Sequence, residues 1–102
     1  MIKRISMWRL KPDCSESDRI EMKNALLSLK QNTPSLLDVE VGLNESTSKS
    51  AYDIVFIGSF KNRSDVIDFE NDPYHKQVGQ LVDSLKLTRS VVEYCTDEVT
   101  AD

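Results

Sequence analysis

Hydrophobic and polar residues follow one another at strand spacing in four segments of the chain. These predicted strands lie at residues 2–11, 36–44, 52–61 and 87–95. In the second strand, every other residue from Leu37 to Leu43 is apolar, which is the pattern of a half-buried strand. In the third strand, Ile54 and Phe56 share one face, whereas Val55 lies on the other.

The segment between the first two strands has apolar residues at helical spacing. Ser15 is a suitable N-cap, and Asp18 three residues later suits the positive end of a helix. We expect the helix to end near residue 30 or 31, because Pro34 cannot continue it. The predicted apolar stripe consists of Ile20, Met22, Leu26, Leu27 and Leu29.

The segment between the last two strands predicts a second helical region in two pieces. Asn62 or Ser64 caps a short first helix. Asp72 and Pro73 then have the residue types of an N-cap and a first helical position, so a second helix begins there. The resulting order is β-α-β-β-α-β, which predicts an α+β, ferredoxin-like domain with a four-stranded antiparallel sheet.

Both faces of the predicted sheet carry apolar side chains. The helical regions cover one face, and a face left to water is ordinarily polar. On the opposite face, burying about four aliphatic side chains at ~1.5–3 kcal/mol each favours a cover. We therefore expect a homodimer with its sheets packed face to face. The predicted interface residues are Ile5, Met7, Val55 and Ile57.

Length and charge limit the classes of protein to consider. The chain has 102 residues, enough for a single domain over residues 1–95, and residues 96–102 form an acidic tail that we expect to fray. A formal net charge of -4 without a basic run argues against nucleic-acid and anionic-membrane partners. We find no signal-peptide core and no apolar run near the ~20 residues that span a bilayer, so we expect a cytoplasmic protein.

The cysteines and acidic residues do not predict a metal site. Cys14 and Cys95 are far apart in sequence, and in a reducing compartment we expect free thiols. One histidine with two distant cysteines is a poor zinc ligand set. No phosphate-binding loop, metalloprotease motif or nucleophile elbow is present. We expect neither a metal nor a cofactor.

His75 is the only histidine and the main candidate for chemistry. It falls in the first turn of the helix that Asp72 and Pro73 begin, where the helix dipole disfavours an imidazolium. A neutral ring can act as a base or hold a carbonyl or hydroxyl group in a pocket between sheet and helices. The alternative is a structural imidazole that ties the helix start to a neighbouring strand.

Arg4 shares a strand face with Trp8, and a guanidinium under the helices needs a partner. A salt bridge to Asp72 or Glu93 is one interpretation, and a clamp for a ligand anion or carbonyl is the other. The aromatic residues allow two interpretations as well, since they form either core or cavity wall. The predicted ligand-binding residues are Arg4, Trp8, Ile54, Phe56, Phe69 and Tyr74.

Several segments resemble the stress-responsive α/β-barrel domain (Dabb) family. They are "MIKRISMWRLKPD", "PSLLDVEVGLN", "YDIVFIGSFKNRSDVIDFENDPYHKQV" and "VVEY", and together they extend over most of the chain. The resemblance implies a ferredoxin-like dimer whose two sheets form a barrel. It also relates His75 to the second histidine of a His-Pro-x-His segment, with Asp72 in place of the first.

One branch of that family comprises plant polyketide cyclases, which use a tyrosine–histidine pair and further pocket histidines. The resemblance places Phe69 at the tyrosine position, and Arg4 and Ile54 at two histidine positions. Three functions remain open: binding of a small apolar or carbonyl-containing molecule, a cofactor-independent lyase, isomerase or cyclase with His75 as general base, and a structural or interaction dimer. We favour the first, because Phe69 and Ile54 lack the cyclase groups.

Overall fold

The computed structural model describes residues 1–96, so all of the predicted acidic tail except Thr96 lies outside the described residues. Strands and helices follow in the predicted order, with each helical region in two pieces. The elements are β1 (Ile2–Leu10), α1 (Glu16–Leu27), α2 (Leu29–Asn32), β2 (Leu36–Leu43), β3 (Ile54–Phe60), α3 (Arg63–Asn71), α4 (Pro73–Leu85) and β4 (Lys86–Cys95).

The four strands form one antiparallel sheet in the order β2-β3-β1-β4. This order confirms the predicted α+β, ferredoxin-like fold. β1 is central and pairs with both β3 and β4, whereas β4 is an edge strand. The first three helices pack chiefly on the β2–β3 half of one sheet face. The β1–β4 half of that face is therefore available to form a wall opposite α4.

Strand parity follows the prediction in β1 and β3. The even-numbered residues of β1, including Arg4 and Trp8, are buried on the helix-facing side. The odd-numbered residues of both strands form the opposite face, which we call the open face; its apolar residues Ile5, Met7, Val55 and Ile57 are only half-buried. β4 extends the open face, since Val92 pairs with Ile5 and Tyr94 pairs with Lys3.

The first helical region differs from the prediction of one continuous helix. α1 stops at Leu27, and Ser28 separates it from α2. The Ser28 hydroxyl donates to the Ala25 carbonyl at 2.6 Å and lies 2.6 Å from the Tyr74 hydroxyl, so a contact from α4 holds this break. Ile20 is 46% exposed, whereas Met22 is fully buried. The predicted stripe was therefore wrong at Ile20 and Leu27, which are exposed.

β2 differs from the prediction at its first residues. Its pairing with β3 shifts between Leu36 and Asp38, and Leu36 is buried while Leu37 is exposed. A bulge adds one residue to a strand and so reverses the faces on either side of it. The predicted inward position of Leu37 was wrong for this reason, although Val39 and Val41 keep partly buried positions against the core.

The helix starts follow from their caps. Ser15 and Asp18 form a reciprocal capping box at α1. Asn62, the first of the two predicted candidates, caps α3 by accepting from the Asp65 amide. Asp72 caps α4 as predicted, because its carboxylate accepts from the Tyr74 amide at 2.8 Å and Pro73 takes the first helical position. No helix in residues 1–96 is long and apolar enough to cross a bilayer.

Candidate functional site

A cavity of about 530 Å³ lies between α4 and the helix-facing side of β1 and β4. This volume is within the roughly 300–1,000 Å³ of small-molecule sites. Its apolar walls include Trp8, Phe56, Phe69, Val78, Val82 and Val91. Its charged and titratable groups include Arg4, Glu70, His75, Lys86, Arg89 and Glu93. An apolar interior with a few polar groups is the usual composition of a ligand site.

α4 supplies one wall of the cavity through residues that share a helix face. His75, Gly79 and Val82 are spaced four and three residues apart, so they lie above one another on the helix. The Asp72 cap and Pro73 fix where the helix begins and thereby set which face His75 occupies. A Cβ atom added to Gly79 would meet no atom within 4 Å. Glycine therefore leaves this part of the wall open.

The imidazole of His75 packs on the ring of Phe69, with a centroid distance of 4.1 Å and an interplanar angle of 29°. Its Nδ1 atom is buried and has no hydrogen-bond partner within the described residues. The ring stacks on Phe69 and lines the cavity, and no hydrogen bond ties it to a neighbouring strand within the described residues.

The pKa of His75 is lowered from its usual value. Burial is the main cause, followed by the positive charge of Arg4, while Glu70 opposes the shift through its backbone and its carboxylate. Both leading causes disfavour the imidazolium. A neutral ring agrees in direction with the sequence-based expectation, and burial is the largest cause of the lowered pKa.

Arg4 is buried at one side of the cavity between two glutamates. Its Nε donates to Glu93 Oε1 at 2.8 Å, and its Nη2 contacts the Glu70 carboxylate. Arg63 also contacts the Glu93 carboxylate. Of the two predicted partners, Glu93 was right and Asp72 was wrong, because the Asp72 carboxylate caps α4 instead.

Charge around Glu93 is balanced by two guanidinium groups. Its contact with Arg63, and then that with Arg4, holds the pKa of the carboxyl group below its usual value, although partial burial opposes this. The chain of contacts from Glu70 through Arg4 and Glu93 to Arg63 links α3 to β1 and β4. It therefore fixes one side of the cavity.

The structure brings Arg4, Trp8, Phe56, Phe69 and His75 together around the cavity. Two other predicted ligand-binding residues do not line it. Ile54 is 2% exposed and lies between Trp8 and Leu43 in the sheet, so it forms core. The hydroxyl of Tyr74 is turned to Ser28, which takes this side chain away from the cavity.

Sequence reasoning missed three lining residues that affect the chemistry, namely Glu70, Gly79 and Arg89. Gly79 could have been found from its spacing of four residues from His75 on a helix. Arg89 required the pairing of β4 with β1, which places it beside Trp8. No pattern in the sequence indicated Glu70, because its position depends on how α3 packs against the sheet.

The described residues contain no group of three or more His, Cys, Asp or Glu side chains that could hold a metal ion. Cys14 and Cys95 are free thiols in this part of the chain. Around the cavity, Arg4 pairs with Glu70 and Glu93, and Lys86 pairs with Asp83.

The family model of the stress-responsive A/B barrel domain matches residues 2–96. The chain belongs to this Dabb family. The match extends over all the elements described above, including those that build the cavity. No curated protein sequence matched the chain.

Solved structures share the fold of this Dabb chain at low sequence identity. A dimeric protein of unknown function and ferredoxin-like fold from Bacteroides fragilis is 24% identical, with a TM-score of 0.76 over 91% of this chain and 93% of that one. A dimeric ferredoxin-like protein of unknown function from Thermobifida fusca is 16% identical, with a TM-score of 0.83 over 91% and 88%. Hydroxynitrile lyase from Passiflora edulis is 13% identical, with a TM-score of 0.86 over 98% and 96%.

Proposed function

We propose that this protein binds a small apolar or carbonyl-containing molecule in the cavity between α4 and the β1–β4 half of the sheet. The observation that carries the proposal is the position of His75, whose ring lines the cavity and stacks on Phe69, another residue of the cavity wall. A titratable group held among apolar walls is the usual polar element of a small-molecule site.

The chemistry of the walls indicates what the ligand offers. Trp8, Phe56 and Phe69 give the molecule an apolar surface. A neutral imidazole can donate to a carbonyl or accept from a hydroxyl. Arg4 is already neutralised by two carboxylates, so it orients the site rather than holding a ligand charge.

A direct test is calorimetric titration with naphthalene-2-carboxamide, a neutral molecule with an apolar body and one carbonyl group. We expect saturable binding to the native protein and a large loss in Gly79→Leu, whose side chain would enter the cavity. Lys76→Leu is the matched control, because Lys76 is exposed on the same helix and does not line the cavity. Absence of binding to the native protein, or equal binding to Gly79→Leu, would refute the proposal.

A second candidate function is a cofactor-independent lyase with His75 as general base. A neutral imidazole in an apolar cavity is suited to taking a proton, and a hydroxynitrile lyase shares the fold. In such a reaction His75 takes the hydroxyl proton of a cyanohydrin, the carbonyl bond forms, and cyanide leaves with the electron pair of the broken carbon–carbon bond. The proton on His75 then passes to cyanide.

The lyase candidate is tested with the cyanohydrin of benzaldehyde, by following the absorbance of the aldehyde released. Catalysis by His75 predicts a rate above the buffer background that His75→Ala removes. The carboxamide should still bind to that variant, though more weakly. A native rate equal to the background, or full activity in His75→Ala, counts against this function.

The open face supports a homodimer as the state in which the protein acts. Ile5, Met7, Val55 and Ile57 are half-buried there, and Val92 is 55% exposed beside Ile5. A second copy would present the same apolar residues, so the faces match each other in chemistry. Two of the similar structures are described as dimeric, which also favours this assembly.

Ile57→Asp tests the assembly because it places a carboxylate in the middle of the open face, opposite Ile5 and Glu40. Light scattering at micromolar concentration should give a dimer for the native protein and a monomer for this variant. Ile67→Asp is the control, since Ile67 is 50% exposed on α3 and away from the open face. A native monomer, or a dimer that Ile57→Asp leaves intact, rules out this interface.

A further inference from the structure

Charged residues around the cavity are paired with one another, and Arg89 is the exception. Arg4 lies between two glutamates, and Lys86 Nζ lies 2.8 Å from Asp83 Oδ1. Within residues 1–96, Arg89 has no carboxylate partner. Its side-chain contact is a hydrogen bond of 3.4 Å from Nη2 to the hydroxyl of Ser6. Arg89 therefore adds a positive charge to the cavity that the surrounding side chains do not neutralise.

The position of Arg89 makes this charge available to a ligand. It is the strand partner of Trp8, and it reaches toward Ser6 on the same face of β1. A guanidinium has five N–H donors in a planar fork that suits a carboxylate, so one hydrogen bond leaves most of them free. Arg89 and His75 line the same cavity, and the charge of Arg89 is the smallest of the causes that lower the pKa of His75.

We propose that the molecule bound in the cavity is an amphipathic monoanion, with its apolar body between Trp8 and α4 and its carboxylate or equivalent group on Arg89. This inference rests on the proposed binding function and specifies its ligand class. One anionic group is the limit, because Arg89 is the one lining cation of residues 1–96 that has no carboxylate partner. Ligands with several phosphate groups are unsuited to the site for the same reason.

The test compares two probes that differ in one charge. Naphthalene-2-carboxylate and naphthalene-2-carboxamide have the same apolar body, and their affinities are measured by calorimetry at constant ionic strength. We expect the native protein to bind the carboxylate about 2- to 5-fold more tightly, since Arg89 is exposed and exposed ion pairs contribute modestly. Arg89→Gln should abolish this preference and leave the affinity for the carboxamide within about twofold.

Lys76→Gln is the matched control, because it removes one positive charge from α4 outside the cavity and should preserve the preference. Arg89→Lys keeps the charge but not the planar fork, so it should retain part of the preference. A carboxylate preference that survives Arg89→Gln, or no preference in the native protein, overturns the assignment of Arg89 while the cavity remains a binding site. Failure of both probes to bind overturns the binding function itself.

Discussion

Substitution of Gly79 tests most directly whether the cavity binds a ligand. It lies within α4, where glycine weakens a helix. Its backbone does not require glycine, because its φ is not positive, and a Cβ atom added there would meet no atom within 4 Å. Since Gly79 also lines the cavity, we infer that glycine is present there to keep the wall open.

The expected changes have opposite signs for stability and binding. Replacing a glycine within a helix by alanine contributes about 0.5–1 kcal/mol, and leucine has nearly the same helix propensity. A gain of about 1 kcal/mol raises the Tm of a domain of this size by about 4–8 °C. Gly79→Ala and Gly79→Leu should therefore raise the Tm by roughly 2–8 °C. Gly79→Leu should weaken carboxamide binding at least about tenfold, equivalent to about 1.4 kcal/mol.

Thermal unfolding followed by circular dichroism measures the first change, and calorimetric titration measures the second. Gly58→Ala is an internal control of the same chemical type. A Cβ at Gly58 would lie 2.9 Å from Phe56 Cζ, so this variant should lower the Tm. If Gly79→Leu lowers the Tm, the space beside Gly79 is not open. If it keeps the native affinity for the carboxamide, the probe does not bind in this cavity.

Two further predictions concern pH. Arg63 and Arg4 lower the pKa of Glu93, so its stabilising contribution is present above the unfolded pKa of about 4.3 and is lost as the pH falls through the folded value. Glu93→Gln should therefore lower the free energy of unfolding, measured in urea, by about 1–3 kcal/mol at pH 7 and by less toward pH 3. An equal loss at both pH values would contradict this prediction. For His75, burial and Arg4 lower the pKa, so its neutral form favours folding above the unfolded pKa of about 6.5, and that contribution is lost as the pH falls through the folded value. NMR titration of the ring proton should give a midpoint below that unfolded value, and a midpoint at or above it would refute the assignment.

Patterns among neighbouring residues of the sequence were sufficient to predict the fold. The parity of β1, with Trp8 inward and Met7 outward, follows from a period of two that no bulge interrupts before Arg9. The cap residues Ser15 and Asp72 set helix starts through hydrogen bonds to amides two or three residues away. Such features depend on neighbours in the chain, so a single sequence carries them.

The features that were mispredicted depend on contacts between distant residues. The helix break at Ser28 is held by the hydroxyl of Tyr74, which is 46 residues away. That same contact takes Tyr74 out of the cavity, so one long-range hydrogen bond explains two errors. The exposed position of Leu37 comes from the register of β2 against β3, which the alternation within β2 does not reveal.

The edge strand β4 contributes residues both to the cavity and to the open face. Its residues alternate, so that Arg89 and Glu93 face the cavity while Val92 and Tyr94 face the open face. Val92 is 55% exposed, and one sheet edge of β4 lacks a partner strand within the described residues. The proposed dimer interface and the proposed ligand site therefore share this strand. If the two are coupled, the Ile57→Asp variant that abolishes the dimer should also change the affinity for the carboxylate probe, and an unchanged affinity would show that they are independent.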